Sequence, residues 1–584
     1  MAVPVAMLMH TIICGCVVAR KAKDRPNLIM LFVDDLGYGD TGFTGHPTVS
    51  TPNIDGLAFN GKVLTTWYSG CAVCSGSRAA LMTGRQFARV GVPGVYGPTV
   101  NAGLPLNETT LAEQLKKRNY ATAIVGKWHL GQRARHLPGS RGFDYYLGIP
   151  YSDDMGQGRA SSCGSNGEVA AEPGSLGPAW ARQLYEEAGY VDASSEDSSG
   201  YDPAGAFLPL VQQEFNKTIV LEQPLDFTTL ADKYNTYALN FITNHKDEPF
   251  LLYMPFSHVH TTAGNQPEKQ YAGCGFKNTS RRGKFGDALA EADWIIGNNA
   301  HKIREMGIEE NTLFLFTGDN GPWMQQGLSG GSHGLLTGRY SGYWNTGKGS
   351  TWEGGIREAA FAYWKGQIKP FTRTAEVVSS LDVLPTISAL ANVALPNDVT
   401  YDGRDMTDVL LGDDGKSKHD FLFFYGGCSS GKSPAAVRHG PWKAHWCTGP
   451  GLGGCYQCPR RVYSPESPLL FNVEVDPSES MPVDRNHSKS AAAALQRIVS
   501  ALAVEEASFV HQKNEPLADG PGEGPGRYGV CCDRSRNCDC NGRPSDFSAG
   551  LLGFGSNSHH DASHDVTGGG APLPPTIAEV ELAV

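Results

Sequence analysis

The chain has 584 residues, with 49 Lys and Arg against 60 Asp and Glu, a formal charge of -11 and 40% hydrophobic residues. That length can bury a large core and hold two domains. The acidic balance excludes the basic footprint of a nucleic-acid binder, so any positive charge offered to an anionic ligand must be local.

In chain order, Met7 to Val18 is an apolar run, and Val17-Val18-Ala19 places small residues before Arg20, the pattern of a signal peptide over residues 1-19. No other stretch is long and apolar enough to span a bilayer. Asn27 to Val33 is a continuous apolar run that ends in Asp34-Asp35. Sequons at Asn107, Asn216, Asn278 and Asn486 agree with the leader in pointing to the secretory pathway, toward a lysosome or the extracellular space.

The segment Cys74 to Arg85 reads as a short helix. Ser75 or Ser77 is placed to cap its start, Ala79 to Met82 propagate it, and Gly84 can end it in the left-handed conformation. Cys74 and Arg78 then lie at a helix N-terminus, where unpaired N-H groups favour an anion. A lone cysteine before a helix is more often structural. The polar residues further along the chain argue otherwise.

Thr110 and Glu113 form a capping box ahead of Leu111, Ala112 and Leu115. Ala121 to Val125 then runs into Gly126-Lys127-Trp128-His129. Residues 155-205, rich in Gly, Ser and acids, read as a surface insertion. Phe250 to Phe256 ends in Ser257-His258-Val259-His260. Asp287 to Glu305 carries Leu289, Ala292, Ile296 and Ile303 on one helical face, with Gly307 beyond it. Thr312 to Phe316 ends in Thr317-Gly318-Asp319-Asn320, and Lys348 lies in the glycine-rich loop Gly347 to Gly355, which lacks P-loop spacing.

Unbroken apolar runs of this kind fit parallel strands buried on both faces, and strand-helix-strand order implies right-handed crossovers. The expected fold is α/β, a large, mostly parallel sheet flanked by helices. Ligands of such sheets sit beyond the carboxyl ends of the strands, where all four polar clusters fall. Asp34, Asp35, Asp319 and Asn320 offer hard oxygens suited to calcium or magnesium. Lys127, His129, His260 and Lys348 bring cationic or protonatable groups to the same crevice. From near Asn397 the texture changes. Phe421 to Tyr425 and Leu469 to Val473 are short strand-like pieces among Gly and Cys, predicting an α+β subdomain over 397-540 with a short antiparallel sheet and disulfides. Cys531, Cys532, Cys538 and Cys540 read as disulfide partners rather than a zinc site. Residues 541-584 read as a disordered tail.

The string Cys74-Ser75-Gly76-Ser77-Arg78 through Thr83-Gly84-Arg85 resembles the sulfatase signature Cys-x-Pro-Ser-Arg-x-x-x-Leu-Thr-Gly-Arg. Gly76 stands where that family usually has proline. The segments at 34 to 40, 126 to 131, 258 to 260 and 318 to 321 and the Lys348 loop also recur there, and the likeness is greatest to the arylsulfatases. It extends through 51 to 55, 147 to 152, 436 to 445 and the terminal double cysteine, covering roughly residues 25 to 540. The resemblance implies an alkaline-phosphatase-like catalytic domain over 25-396 and hydrolysis of a sulfate ester of a lipid, glycan or aryl alcohol. It also implies that a formylglycine-generating enzyme oxidises Cys74 to formylglycine. Calcium would be held by Asp34, Asp35, Asp319, Asn320 and the oxygen of residue 74. Of the implied roles, Arg78 holds the hydrated aldehyde, and Lys127, His260 and Lys348 bind sulfate. His260 or Lys348 protonates the leaving alcohol, His129 is the base that regenerates the aldehyde, and Ser152 adds a sulfate hydrogen bond. Two alternatives stay open: a phosphodiesterase or phosphonate hydrolase on the same fold, and a silent binder of sulfated ligands if Gly76 blocks conversion. Association into a homo-oligomer is also open.

Overall fold

The computed structural model describes residues 25-158, 207-215, 217-262, 270-427, 433-454, 459-512, 516 and 530. The expected leader at 1-19, most of the 155-205 insertion, Asn216, the cysteine cluster at 531-540 and the tail at 541-584 lie outside the described residues.

The apolar strand Asn27–Val33 is buried along its whole length because it has parallel partners on both sides, Phe250–Pro255 and Thr312–Gly318. Leu28, for example, stands beside Leu251 and Leu313. Ala121–Val125 pairs parallel with Phe250–Pro255, and Tyr145–Gly148 pairs parallel with Ala121–Val125. Antiparallel strands extend the sheet on both sides. Leu210–Glu214 and Lys217–Glu222 form a hairpin on the Tyr145 side; Phe361–Tyr363 and Lys62–Leu64 lie on the other, with Thr372–Thr374 outermost and parallel to Lys62–Leu64. The result is a ten-stranded mixed sheet with a parallel centre.

Side chains alternate across a strand, so each central strand feeds two cores. Leu28, Met30, Phe32, Leu251 and Tyr253 share one core with Ala79, Leu81 and Met82 of the helix Cys74–Thr83, with Leu111 and Leu115, and with Leu384 and Ile387. On the opposite face Phe250 meets Phe241 of the helix Leu230–Asn244 edge to face, and Met254 meets Asn299 of the helix Lys284–Glu305. Burying each large apolar side chain contributes on the order of 2 kcal/mol. The strand interiors therefore exclude charge, and polar groups collect at the strand ends.

A second, four-stranded antiparallel sheet comes next along the chain, in the order Leu422–Phe424, Ala436–His439, Trp442–His445, Leu469–Asn472. Val437, Ala444 and Leu470 on one of its faces pack against Ala491, Leu495, Ile498 and Leu502 of the helix Lys489–Ser508.

One local expectation is overturned. The residue before the Cys74 helix is Val73, and no side chain caps the helix. Ser75 Oγ instead accepts from the Tyr96 N-H at 3.1 Å, while Ser77 Oγ is buried without a partner. The whole helix is buried, so backbone from a neighbouring loop serves it, with the Gly76 N-H donating to the Gly94 carbonyl at 3.0 Å. Gly84 ends the helix at φ 66 as expected.

Candidate active site

Seven chain segments meet beyond the carboxyl ends of the parallel strands: five follow those strands, and the Cys74 helix and the Lys348 loop join them. They can approach closely because some carry no side chain. A Cβ on Gly126 would lie 1.9 Å from the Pro255 oxygen, and one on Gly148 would lie 1.7 Å from the Gly126 oxygen. Gly126 also sits at φ 135, a conformation other residues avoid. These contacts bring Lys127, Ser152 and His260 toward Asp34 and Asp35 at the end of the central strand.

Cys74 is the first residue of its helix, and Arg78, one turn on, lies behind it. The Cys74 sulfur is 3.7 Å from Asp34 Oδ1 and 3.7 Å from Lys127 Nζ. Arg78 donates to Asp34 Oδ2 at 3.0 Å, to Asp319 Oδ2 at 2.9 Å and to the Lys127 carbonyl at 2.8 Å. Lys127 Nζ also donates to Ser152 Oγ at 2.9 Å. On the other side, Lys348 Nζ is 2.7 Å from Asp35 Oδ1 and 3.0 Å from His260 Nε2. Asn320 Nδ2 donates to Asp35 Oδ1 at 2.7 Å. All of these residues are buried. The structure thus brings ten of the eleven residues singled out in the sequence into one bonded cluster.

His129 stands one step away. Its Nε2 faces the Tyr96 carbonyl at 2.8 Å, and the Tyr96 N-H donates to Ser75 on the Cys74 helix. A carbonyl can only accept, so Nε2 carries the proton. The bare Nδ1 is left buried without a partner. In the same way His260 Nδ1 donates to the Thr261 carbonyl at 2.7 Å, which leaves Nε2 to accept from Lys348. Burial, reinforced by neighbouring lysines, pushes both imidazoles well below their ordinary range.

Electrostatics sort the acids. Burial opposes ionisation of Asp34, but Lys127 and Arg78 outweigh it and hold this carboxyl low. Burial pushes Asp35 up to about 7 against the pull of Lys348, and Asp34 and Asp319 add to the push. Burial also pushes the Cys74 thiol up, beyond what Lys127 and Lys348 recover. A protonated, buried thiol is a poor nucleophile.

The oxygens fit a hard cation. Asp34, Asp35 and Asp319 crowd three carboxylates together, and Asn320 Oδ1 is buried without a protein partner. Such an oxygen among carboxylates suits a hard cation rather than a soft metal. Ligand atoms of Asp34, Asp35, Cys74 and His260 also lie within 4.8 Å of one another.

Two further site residues escaped the sequence reading. Asp153, fully buried, lies 3.3 Å from His260 Nδ1, and burial raises its carboxyl well above the usual range despite Lys127. Its signal was its position next to Ser152. Trp323 places its ring 4.8 Å from Lys348 Nζ and 5.6 Å from the His260 ring. Its signal was the run Asn320-Gly321-Pro322-Trp323, three residues past a proposed ligand.

Comparison with known proteins agrees with this geometry. The family model described as sulfatase matches residues 26–393, and one described as the C-terminal region of aryl-sulfatase matches 417–540. The chain is 37% identical to arylsulfatase A of Bos taurus over 542 residues, covering 90% of this chain and 95% of that protein. It is 35% identical to arylsulfatase G of Homo sapiens, covering 82% of this chain and 86% of that one. Among solved structures, PsFucS1 sulfatase from Pseudoalteromonas sp. superposes with a TM-score of 0.67 at 27% identity, covering 84% and 92% of the two chains. Fold, strand-end cluster and relatives agree: the chain belongs to the sulfatase family and is a hydrolase of sulfuric esters.

Proposed function

We propose that the enzyme works through formylglycine at position 74, with a calcium ion held by Asp34, Asp35, Asp319, Asn320 and the oxygen of that residue. The observation that carries this reading is the place of the Cys74 sulfur, between Asp34 Oδ1 and Lys127 Nζ at 3.7 Å each. Burial pushes the thiol itself up, which disfavours a reactive thiolate at this position. The hydrated aldehyde supplies two hydroxyls on one carbon, one to attack sulfur and one whose collapse expels sulfate. Calcium, when bound, supplies positive charge to polarise oxygens of residue 74 and of the ester.

The chain's own groups do the rest. Arg78 fixes Asp34 and Asp319 behind the nucleophile. Lys127 and Lys348 approach from two sides to bind sulfate oxygens, and Ser152, bonded to Lys127, orders that ammonium and adds a hydrogen bond. Lys348 is the better candidate to protonate the leaving alcohol, because it is the donor in its bond with His260 Nε2. His260 binds sulfate and directs that ammonium. His129 offers its unpartnered Nδ1 as the base.

A secretory route to the lysosome or outside the cell is supported by disulfides at Cys274 and Cys447 and by exposed sequon residues Asn107, Asn278 and Asn486. Among the described residues no helix is long and apolar enough to cross a membrane. Maturation requires a formylglycine-generating enzyme, and the substrate is a sulfated lipid, glycan or aryl alcohol. Matched sulfate and phosphate esters of one chromogenic alcohol test the reaction class. Faster phosphate hydrolysis would replace the reading with a phosphohydrolase.

A further inference from the structure

The segment Ala436 to His445 stands out in the sequence yet contributes nothing to the strand-end site. Its strands form the middle of the second sheet and carry three buried polar side chains, Arg438, Lys443 and His445. These meet the far side of the Lys348 loop. Lys443 Nζ lies 2.8 Å from Glu353 Oε1 and 3.2 Å from Glu479 Oε1. His445 Nε2 is 2.7 Å from Glu479 Oε1. Glu479 Oε2 accepts the backbone N-H of Glu353 at 2.6 Å. Tyr68 completes the group, donating to Glu353 Oε2 at 2.8 Å and receiving a hydrogen bond from Arg438.

The loop between Lys348 and Glu353 is tied down along its length. Trp352 packs at a tilt against His445 with centroids 4.8 Å apart, and its Nε1 donates to the Gly449 carbonyl at 3.2 Å. The Lys348 carbonyl accepts the Leu452 N-H at 2.5 Å, and the Gly349 N-H donates to the Ala72 carbonyl at 2.8 Å, two residues before Cys74. A glycine-rich loop has little side-chain packing of its own to fix it. Here His445 of the second sheet, the segment just after that strand and Ala72 supply the anchors.

We propose that Lys443, His445 and Glu479 are positioning residues for the reaction, holding the Lys348 loop so that its ammonium faces His260 and Asp35. The proposal rests on the reading of Lys348 as sulfate ligand and proton donor, which the experiment tests separately. Lys443 and His445 lie on the second sheet and bond to Glu353 and Glu479 rather than to the nucleophile at its helix N-terminus, so they act on chemistry through the loop. A misplacement of an ångström at a proton donor lowers turnover by on the order of 100-fold, and a partial shift lowers it less.

The test is a double-mutant cycle in the full-length protein, with turnover normalised to the aldehyde content of residue 74 and measured on aryl sulfates of graded leaving-group acidity. Lys443→Met removes the ammonium and keeps most of the stem; Lys443→Arg keeps the charge. Lys443→Met is expected to lower kcat by on the order of tenfold, with KM changed less than about twofold. The loss should be greater for poorer leaving groups, and Lys443→Arg should restore part of it. In a Lys348→Ala background Lys443→Met should have no further effect. An equal fold-loss in both backgrounds, or a loss independent of leaving group, overturns the positioning role. If Lys348→Ala itself leaves turnover unchanged, the reading of Lys348 falls instead. Should Lys443→Met not accumulate as folded protein, the near-isosteric Glu479→Gln runs through the same cycle: a loss confined to the Lys348 background supports positioning, and an equal loss in both backgrounds overturns it.

Discussion

Two buried charge clusters meet the Lys348 loop, one through Lys348 and the other through Glu353, and they differ in how completely their carboxylates are paired. Beneath the Lys348 loop all four carboxylate oxygens of Glu353 and Glu479 have partners, from Tyr68, Lys443, Arg357, His445 and a backbone N-H, although His445 Nδ1 is itself buried without one. At the strand ends Asn320 Oδ1 and His129 Nδ1 are buried without partners, and both oxygens of Asp153 lack a hydrogen bond. Burying an unpaired polar group costs on the order of 1 to 3 kcal/mol. The first cluster therefore behaves as structure. The second carries a cost that a cation and an anionic substrate would offset, as expected of a binding site.

The contrast can be broken from either side. The largest effect should come from Asp319→Ala, which removes a proposed calcium oxygen and one of the two acids paired with Arg78. Turnover should fall by at least about 1000-fold, as a preorganised charge in a water-excluded site is lost. Elemental analysis should show the metal lost in parallel; retained calcium would remove Asp319 from the ligand set. Lys348→Ala should lower turnover by on the order of 100-fold, and more for poor leaving groups. A uniform loss would assign it to sulfate binding alone.

Glu353→Ala strikes the paired cluster and should behave differently. Removing one partner leaves Lys443 buried beside Glu479 alone, and such a break costs about 3 to 5 kcal/mol of stability. Chemical denaturation should show that loss. An unchanged midpoint would mean that the paired cluster is not a structural element.

The smallest effect concerns Gly76. A Cβ there would lie 2.6 Å from the Cys71 sulfur, and the Gly76 N-H is bonded to Gly94. Cys71 therefore occupies space that the ring of a proline would need. Gly76→Pro should raise conversion of Cys74, if the modifying enzyme reads the chain before it folds, yet cost about 1 to 3 kcal/mol through crowding. Adding Cys71→Ala should recover part of that stability. Mass spectrometry and denaturation read the two effects independently.

The same contrast explains which residues were legible in the sequence. Parallel strands end in abrupt changes from apolar to polar residues, so Asp34, Lys127, His260 and Asp319 announced themselves at four run ends. Lys348 was marked by its glycines. The paired cluster gave no such sign: Arg438, Lys443 and His445 alternate with apolar residues as the solvent face of a strand would, and only the packing of the second sheet against the loop shows that they are buried. Val73 in place of a serine cap had the same origin, because a fully buried helix end can be served by distant backbone. Asp153 was hidden within a pair of acids that reads as a polar turn.

The central claim is that residue 74 reacts as an aldehyde and not as a thiol. Mass spectrometry of the tryptic peptide ending at Arg78, from protein secreted by eukaryotic cells, tests it directly when paired with sulfatase activity across preparations. The predicted result is a mixture of formylglycine and cysteine, with activity proportional to the formylglycine fraction. Intact cysteine alone, whether the protein is active or silent, would contradict it.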